Sequence, residues 1–453
     1  MTNRFSPMNP LSGYNSQGAR KFSVMMLALA LPMLPEGVAA AEQTPARGAM
    51  QERLAALATS ADDELRNNIL PFWLRYAPDD KNGGFHGAVG VDLKPIPHAP
   101  RGALLTSRIL WSFSAAYRKY GDDAYLAMAR RAYDDLWTRF WDPEHGGLYW
   151  TTDAQGKPLD ATKQIYAQAF GLYALSEFHR ATGESEARER AILLFELIEK
   201  HGRDPSGGGY WEVFSREWKR ARASQSHVNR VSTKSQNTHL HVMEAYTTLL
   251  RVWPDERVRT AQQEMVGIML GRIWNPDTGH LHLYLDDAWK PQSQNFSYGH
   301  DIEAAWLMTE ATSVLGDAAL DQRARAAAAQ IAQVTLAEGR DRDGGIVYEG
   351  GPKGVIDTHR EWWPQAEAAV GFLDAYQISG DMRFLEASEA SWAFIQKHLV
   401  DRAGGEWYHS TRPDGSVSRE PKISLWKCPY HNTRACLEII ERVERIQKLN
   451  TPR

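Results

Sequence analysis

The stretch NGGFHG (82–87), then SRILWSFSAAYRKYG (107–121) and DDAYLAMARRAYDDLWTRF (122–140), leads into GGLYWTTDAQG (146–156), where the same order of elements begins again. The glycine pair marks a turn, and the alternating aromatic residues behind it mark a short strand or hairpin. Residues 107–121 are an apolar helix stopped by Gly121, and 122–140 a more polar one. The Gly-rich turn returns at 207–209, 279, 344–345 and 404–405. Each turn is followed by an aromatic hairpin (GGYWEVF, GHLHLYL, GGIVYEG, GGEWYHS) and then an apolar helix. These helices read IYAQAFGLYAL, NTHLHVMEAYTTL, SYGHDIEAAWLM, WWPQAEAAVGFLDAY and WKCPYHNTRACLEII, and most end in a G-D or P-D turn into a polar helix. Self-similarity about every 60–70 residues is the mark of a repeat architecture.

Six two-helix units predict an all-α fold: an (α/α)6 barrel of six inner and six outer helices, with short β-hairpins in the connecting loops. An amphipathic helix over 51–76, carrying Leu54, Leu57, Leu65, Ile69 and Trp73, supplies the outer partner for the last inner helix. Six units and this terminal helix favour closure over an open solenoid.

Composition narrows the function. With 43% hydrophobic and 24% charged residues the chain is ordinary globular protein. A net charge of −4 without a long basic run argues against a nucleic-acid partner. Arg20 and Lys21, the 13-residue apolar run from Phe22 to Leu34, and Ala39-Ala40-Ala41 form the three parts of a secretory signal. The run is too short for a permanent membrane span, and without a twin-Arg pair a Sec-type route fits. The expected organisation is a signal peptide and extension at 1–41 and a single catalytic domain at 42–453, exported to the periplasm or secreted. Cys428 and Cys436, if on one helix, are about 12 Å apart, too far for a disulfide, and are read as free buried thiols.

In such a ring the loops before the inner helices share one end. The helix starts carry Arg108; Tyr166; Asn237, His239 and His241; His300 and Glu303; Trp362, Trp363 and Glu367; and Trp426 and His431. Aromatic and ionisable groups converging on one mouth are the pattern of a binding site, and histidine is suited to acid/base work near neutrality. His239, two residues from His241, points elsewhere and reads as structural. A His-x-His pair can ligate metal, but no Asp or Cys partner stands nearby. Arg108, set in an apolar run, needs an anionic partner, either a side chain or an oxyanion formed in catalysis.

The motifs SRILWSFSAAYR, NTHLHVMEAYTTL, SYGHDIEAAWLM, WWPQAEAAVGFLDAY, WKCPYHNTRACLEII and PFWLRYAPDDKNGGFHG resemble, in order over residues 50–445, those of the N-acylglucosamine 2-epimerase superfamily, above all its cellobiose 2-epimerase branch. The resemblance implies no cofactor, metal or nucleotide. It implies an oligosaccharide substrate, with glucose and mannose interconverted at the reducing end of β-1,4-linked disaccharides through an enediolate. Carried over by position, it makes His300 and His431 the catalytic histidines and His241 their support beside Asn237. Arg108 faces the sugar oxygens, Glu303 and Glu367 position groups, and Trp363 and Trp426 stack on the sugars. Tyr166 and Trp362 complete the expected pocket. A monomer is compatible with this reading. The alternatives are a monosaccharide aldose–ketose isomerase or N-acylglucosamine 2-epimerase of the same superfamily, a glycoside hydrolase using Glu303 and Glu367, and a non-catalytic sugar-binding protein, which leaves the histidines unexplained.

Overall fold

The computed structural model describes residues 36–450. The targeting segment read at 1–41 lies, up to residue 35, outside them. Gln51–Arg453 form one compact unit. Inner helices α3 (Ala103–Tyr120), α5 (Ile165–Thr182), α7 (Gln236–Val252), α9 (Tyr298–Leu315), α11 (Trp362–Ser379) and α13 (Tyr430–Asn450) alternate with outer helices. The outer helices are α1 (Glu36–Glu64) continued by α2 (Leu70–Tyr76), then α4 (Asp123–Asp135), α6 (Ser185–Leu197), α8 (Glu256–Ile268), α10 (Ala318–Val334) and α12 (Met382–Phe394). Each inner helix packs on the next, and α13 packs on α3, so the ring closes as an (α/α)6 barrel. The π-turn between α1 and α2 packs on α13, as expected for the first outer helix.

Local chemistry explains the repeat. Left-handed glycines end α3, α5, α9 and α11: Gly121, Gly183, Gly316 and Gly380, a conformation glycine adopts without a Cβ penalty. The next outer helix is usually N-capped by aspartate: Asp122, Asp255, Asp317 and Asp381 accept hydrogen bonds from backbone N–H groups of the first turn. All six outer helices then widen into a five-residue π-turn, such as Leu136–Phe140 and Met269–Ile273. A π-turn commonly marks a functional site; here its six-fold recurrence makes it part of the architecture. No helix among the described residues is long and apolar enough to cross a membrane.

A second repeat was not apparent from the sequence. In five units the hairpin turn opens on an aspartate whose carboxylate meets a buried cation from the short strand or segment that leads to the inner helix. The pairs are Asp79–Arg101, Asp142–Lys163 (3.1 Å), Asp204–Lys234 (2.7 Å), Asp341–Arg360 and Asp401–Lys422 (2.5 Å). Lys163 and Lys234 are fully buried. The fourth unit has Asn275 and Phe296 instead, and Phe296 stacks on His280 with ring centroids 3.5 Å apart. The strand before each inner helix pairs with the hairpin of the next unit, in the registers Arg101↔Thr152, Lys163↔Phe214, Lys234↔Leu285, Phe296↔Gly350 and Arg360↔Thr411. A bridge between Val89 and Ile423 closes this second ring.

The fourth residue of four inner helices latches the helix to its hairpin. Gln168 both accepts from and donates to the Leu148 backbone, and Gln365 does the same to Ile346. Asp301 accepts from Leu281 N–H. His239 accepts from Tyr210 N–H at 2.9 Å, which is the structural role read for it. Cys428 and Cys436 are free and buried; the premise that both share a helix is corrected, because α13 starts at Tyr430 and Cys428 precedes it.

Because a buried carboxylate that loses its cation is left uncompensated, Lys234→Met should destabilise the protein by about 3–5 kcal/mol through Asp204. Chemical denaturation of the purified variant measures this, and a loss under about 1 kcal/mol would contradict a structural role for the pair.

Candidate active site

The sixth residue of each of the first five inner helices points to the barrel axis. In order these are Arg108, Phe170, His241, Glu303 and Glu367, and Arg434 completes the ring from α13. Contacts tie the ring together: the Arg108 guanidinium lies 4.3 Å from the Phe170 ring centre, the Phe170 and His241 rings are 4.7 Å apart, and Arg434 Nη2 donates to Glu303 at 2.6 Å and to Glu367 at 2.7 Å. Above this ring, at the hairpin end, is a cavity of about 320 Å³. Ten of the eleven expected site residues line it: Arg108, Tyr166, Asn237, His241, His300, Glu303, Trp362, Trp363, Trp426 and His431. Glu367 lies beneath, against His431. Several helix-start assignments shift: Arg108, His241, Glu303 and Glu367 sit in the second turn, and Trp426 stands in the loop before α13.

The imidazoles are held by carboxylates. His431 Nδ1 donates to Glu367 at 2.7 Å, and His241 Nδ1 to Glu244 at 2.8 Å. A carboxylate on Nδ1 fixes the proton there and leaves Nε2 as the free base. His300 has no partner on its buried Nδ1, and its ring lies 4.5 Å from that of Trp363, whose ring centre is also 5.6 Å from that of His431. Burial pushes His300 down to about 3 and His431 well below the usual histidine range, the latter helped by Arg108 and Arg434. Both imidazoles are therefore neutral at neutral pH and able to accept a proton.

Arg108 is 2% exposed. It donates to the Tyr166 hydroxyl at 2.8 Å, and its guanidinium lies over the rings of Phe170 and Tyr430. Among the described residues it has no carboxylate partner, so its charge is held by aromatic faces and is available to an anionic oxygen in the cavity. Glu303, Glu367 and His431 each bring a ligand atom within 4.8 Å of the others, but the Arg434 guanidinium already holds both carboxylates, at 2.6 and 2.7 Å.

The structure adds residues that sequence reasoning missed. His227, Val228, Tyr348, Glu361 and His409 line the cavity from loops and hairpins, where no helical period could single them out. His227 stacks on Trp150 at 4.9 Å, and Trp150 lies 5.9 Å from Trp426, so aromatic surface extends outward from the histidines. Burial raises Glu361 to about 7. Beneath the cavity Glu244 accepts from the Tyr430 hydroxyl and Arg434; burial alone would raise it, but Arg434 and His241 hold it down at about 2. Glu244 and Arg434 each stand three residues beyond a mouth histidine, His241 and His431, a helical spacing that could have found both.

Residues 83–435 match the N-acylglucosamine 2-epimerase family. The chain is 44% identical over 382 residues to a cellobiose 2-epimerase of Bacteroides fragilis, covering 83% of this chain and 97% of that protein. It is 38% identical over 392 residues to the cellobiose 2-epimerase of Dictyoglomus turgidum, covering 86% and 100%. The solved structure of cellobiose 2-epimerase from Bacillus thermoamylovorans B4167 superposes with a TM-score of 0.81 at 40% identity, covering 86% of this chain and all of that one.

The site's pH behaviour follows from the geometry. As pH falls, His300 and His431 should stay neutral well below 6.5, the ordinary histidine value, because their protonation is opposed by burial. Side-chain nitrogen NMR of histidine-labelled protein, assigned with His300→Asn and His431→Asn, checks this. Both rings should remain neutral at pH 5.5, with His431 carrying its proton on Nδ1; a charged imidazolium at either position at that pH would contradict the account.

Proposed function

The chain belongs to the N-acylglucosamine 2-epimerase family, and from that membership and the site's geometry we propose that it interconverts glucose and mannose at the reducing end of β-1,4-linked disaccharides such as cellobiose. It is an isomerase. The observation that carries the reading is a buried guanidinium, Arg108, without a carboxylate partner among the described residues and facing a cavity that also holds the neutral imidazoles of His300 and His431.

Ring opening exposes a C1 carbonyl, which makes the C2 proton acidic. One imidazole takes that proton, and the electron pair moves into a C1–C2 enediolate. The oxygen that becomes negative is stabilised by Arg108, whose charge is worth most in a site closed to water. The other imidazole delivers a proton to the opposite face of C2, and the configuration inverts. The lowered basicity of both histidines suits this exchange, because the enediolate charge forming beside them raises it again at the moment of proton transfer. Glu367 and Glu244 keep His431 and His241 in the tautomer with Nε2 free.

Tyr166, Asn237, Glu303, Trp362 and Trp363 hold the reacting sugar. Trp426, with Trp150 and His227 beyond it, offers the aromatic face for the second ring, and this favours a disaccharide over a free monosaccharide. A hydrolase needs two carboxyl groups flanking the scissile bond. Glu303 and Glu367 instead share one guanidinium nitrogen, and the oxygens of Glu367 are engaged by His431, Arg434 and Trp306.

Incubation of the purified protein with cellobiose tests the reading. The expected product is a disaccharide with the linkage intact and mannose at its reducing end; release of monosaccharides, or unchanged cellobiose, would contradict it. We also propose that the chain is exported, on the strength of the charged, apolar and small-residue succession before Glu42. Intact mass of protein from an exporting host should correspond to a start near Glu42, and a mass retaining residues 22–41 would overturn this.

A further inference from the structure

Three buried carboxylates from three helices converge on Arg434, and their hydrogen bonds are not equivalent. Glu244 of α7 has both oxygens engaged: one accepts from Arg434 and the Tyr430 hydroxyl, the other from His241 at 2.8 Å. Glu367 of α11 also has both engaged, Oε1 accepting from His431 and Arg434 at 2.7 Å each and Oε2 from Trp306 at 3.0 Å. Glu303 of α9 differs. Its Oε1 accepts from Arg434 at 2.6 Å, but its Oε2 is buried and has no partner. Glu303 is 1% exposed and lines the cavity.

An ionised carboxylate accepts only, and one left bare in a dry site is expensive. The charges lead to the same residue. All three carboxylates share one cation, Arg434, since Arg108 meets none of them. Glu244 and Glu367 each have donors on both oxygens, so the proton that relieves this crowding belongs on the carboxylate with a bare oxygen. We propose that Glu303 is that acid: a neutral carboxylic group whose Oε2–H projects into the cavity as a hydrogen-bond donor to a substrate oxygen at the reacting end. It donates this hydrogen bond and keeps its proton throughout, so the two imidazoles alone exchange protons with carbon.

The surroundings agree. Besides Arg434, the titratable groups that bear on Glu303 are Glu367 on α11, His431 on α13 with Nδ1 3.9 Å from Glu303 Oε1, Glu244 on α7, Tyr166 on α5, Tyr430 on α13 and its own neighbour His300. Burial and the charge of Glu367 push Glu303 well above the usual carboxylate range; burial raises Glu367 as well, against the pull of Arg434, and Glu244 is held at about 2.

A glutamine at 303 reproduces this arrangement, its carbonyl oxygen accepting from Arg434 and its amide donating into the cavity. Two measurements test the proposal; the first is independent of activity. The infrared difference between wild type and Glu303→Gln at neutral pH should contain the carbonyl stretch of a protonated carboxylic acid, shifted in heavy water; carboxylate bands alone in that difference would overturn the proposal. The second measurement rests on the epimerase reading. Glu303→Gln should lower kcat/KM for cellobiose epimerisation by less than about tenfold, and Glu303→Ala by about 10²–10³-fold, the usual loss for a missing oxyanion donor. A folded glutamine variant as impaired as the alanine variant would also overturn it, since Glu303 would then act as an anion. If the alanine variant does not fold, the infrared band and the glutamine rate decide. If wild type epimerises no disaccharide, the functional reading fails, and the infrared band alone still decides the protonation state.

Discussion

The Arg434 guanidinium lies at the axis of the barrel, buried to 2% exposure, and holds Glu244, Glu303 and Glu367 from α7, α9 and α11. Its face also lies over the rings of Trp306 and Tyr430. Taking such a cluster out of water costs several kcal/mol per ion, so it persists only because each charge meets a fixed partner. The geometry of the proposed site depends on it. Glu367 and Glu244, pinned by Arg434, hold the Nδ1 atoms of His431 and His241, which fixes the tautomer of both rings. Loss of the guanidinium would leave two anions unbalanced beneath the site and release both imidazoles.

The barrel provides this arrangement by repetition with substitution. Buried Asp–Lys or Asp–Arg pairs fasten five of the six hairpins to the segments that lead to the inner helices, and the fourth-residue latches fasten four of those helices to the hairpins. These contacts set the rotation of each helix, so its sixth residue faces the axis. Chemistry is then a matter of which side chain fills that slot: a cation at 108, an aromatic ring at 170, an imidazole at 241 and carboxylates at 303 and 367. The fourth unit, with Phe296 stacked on His280 in place of an ion pair, keeps the geometry without the charges and launches the helix that carries His300.

Much of this was legible from residue order. Glycine pairs, aromatic hairpins and apolar helices are local signals, and their recurrence was enough to give six units, the ring and the end at which polar groups gather. Ten of the eleven expected residues line one cavity because a place in the first two turns of an inner helix, or just before it, translates into location at one end of a ring. What escaped was set by distant pairing. Nothing in the spacing of Lys163, Lys234 and Lys422 singles them out, and only the fold sets Asp142, Asp204 and Asp401 opposite them. His227, Tyr348 and His409 reach the cavity from irregular loops, where spacing carries no direction. Trp426 and Cys428 were assigned to a helix that begins only at Tyr430, since Pro429 fits a first turn as readily as the residue before it.

The central claim is that His300 and His431 work on opposite faces of one carbon. The most direct measurement is the stereochemistry of C2 deuterium exchange when cellobiose is incubated in heavy water with the wild type, His300→Asn and His431→Asn. The account predicts deuterium at C2 of the wild-type product. It also predicts that each single variant loses inversion by about 10²–10⁴-fold while still exchanging the C2 proton of one epimer only, a different epimer for each variant. Product free of deuterium at C2, or inversion at near wild-type rates in both variants, would contradict it.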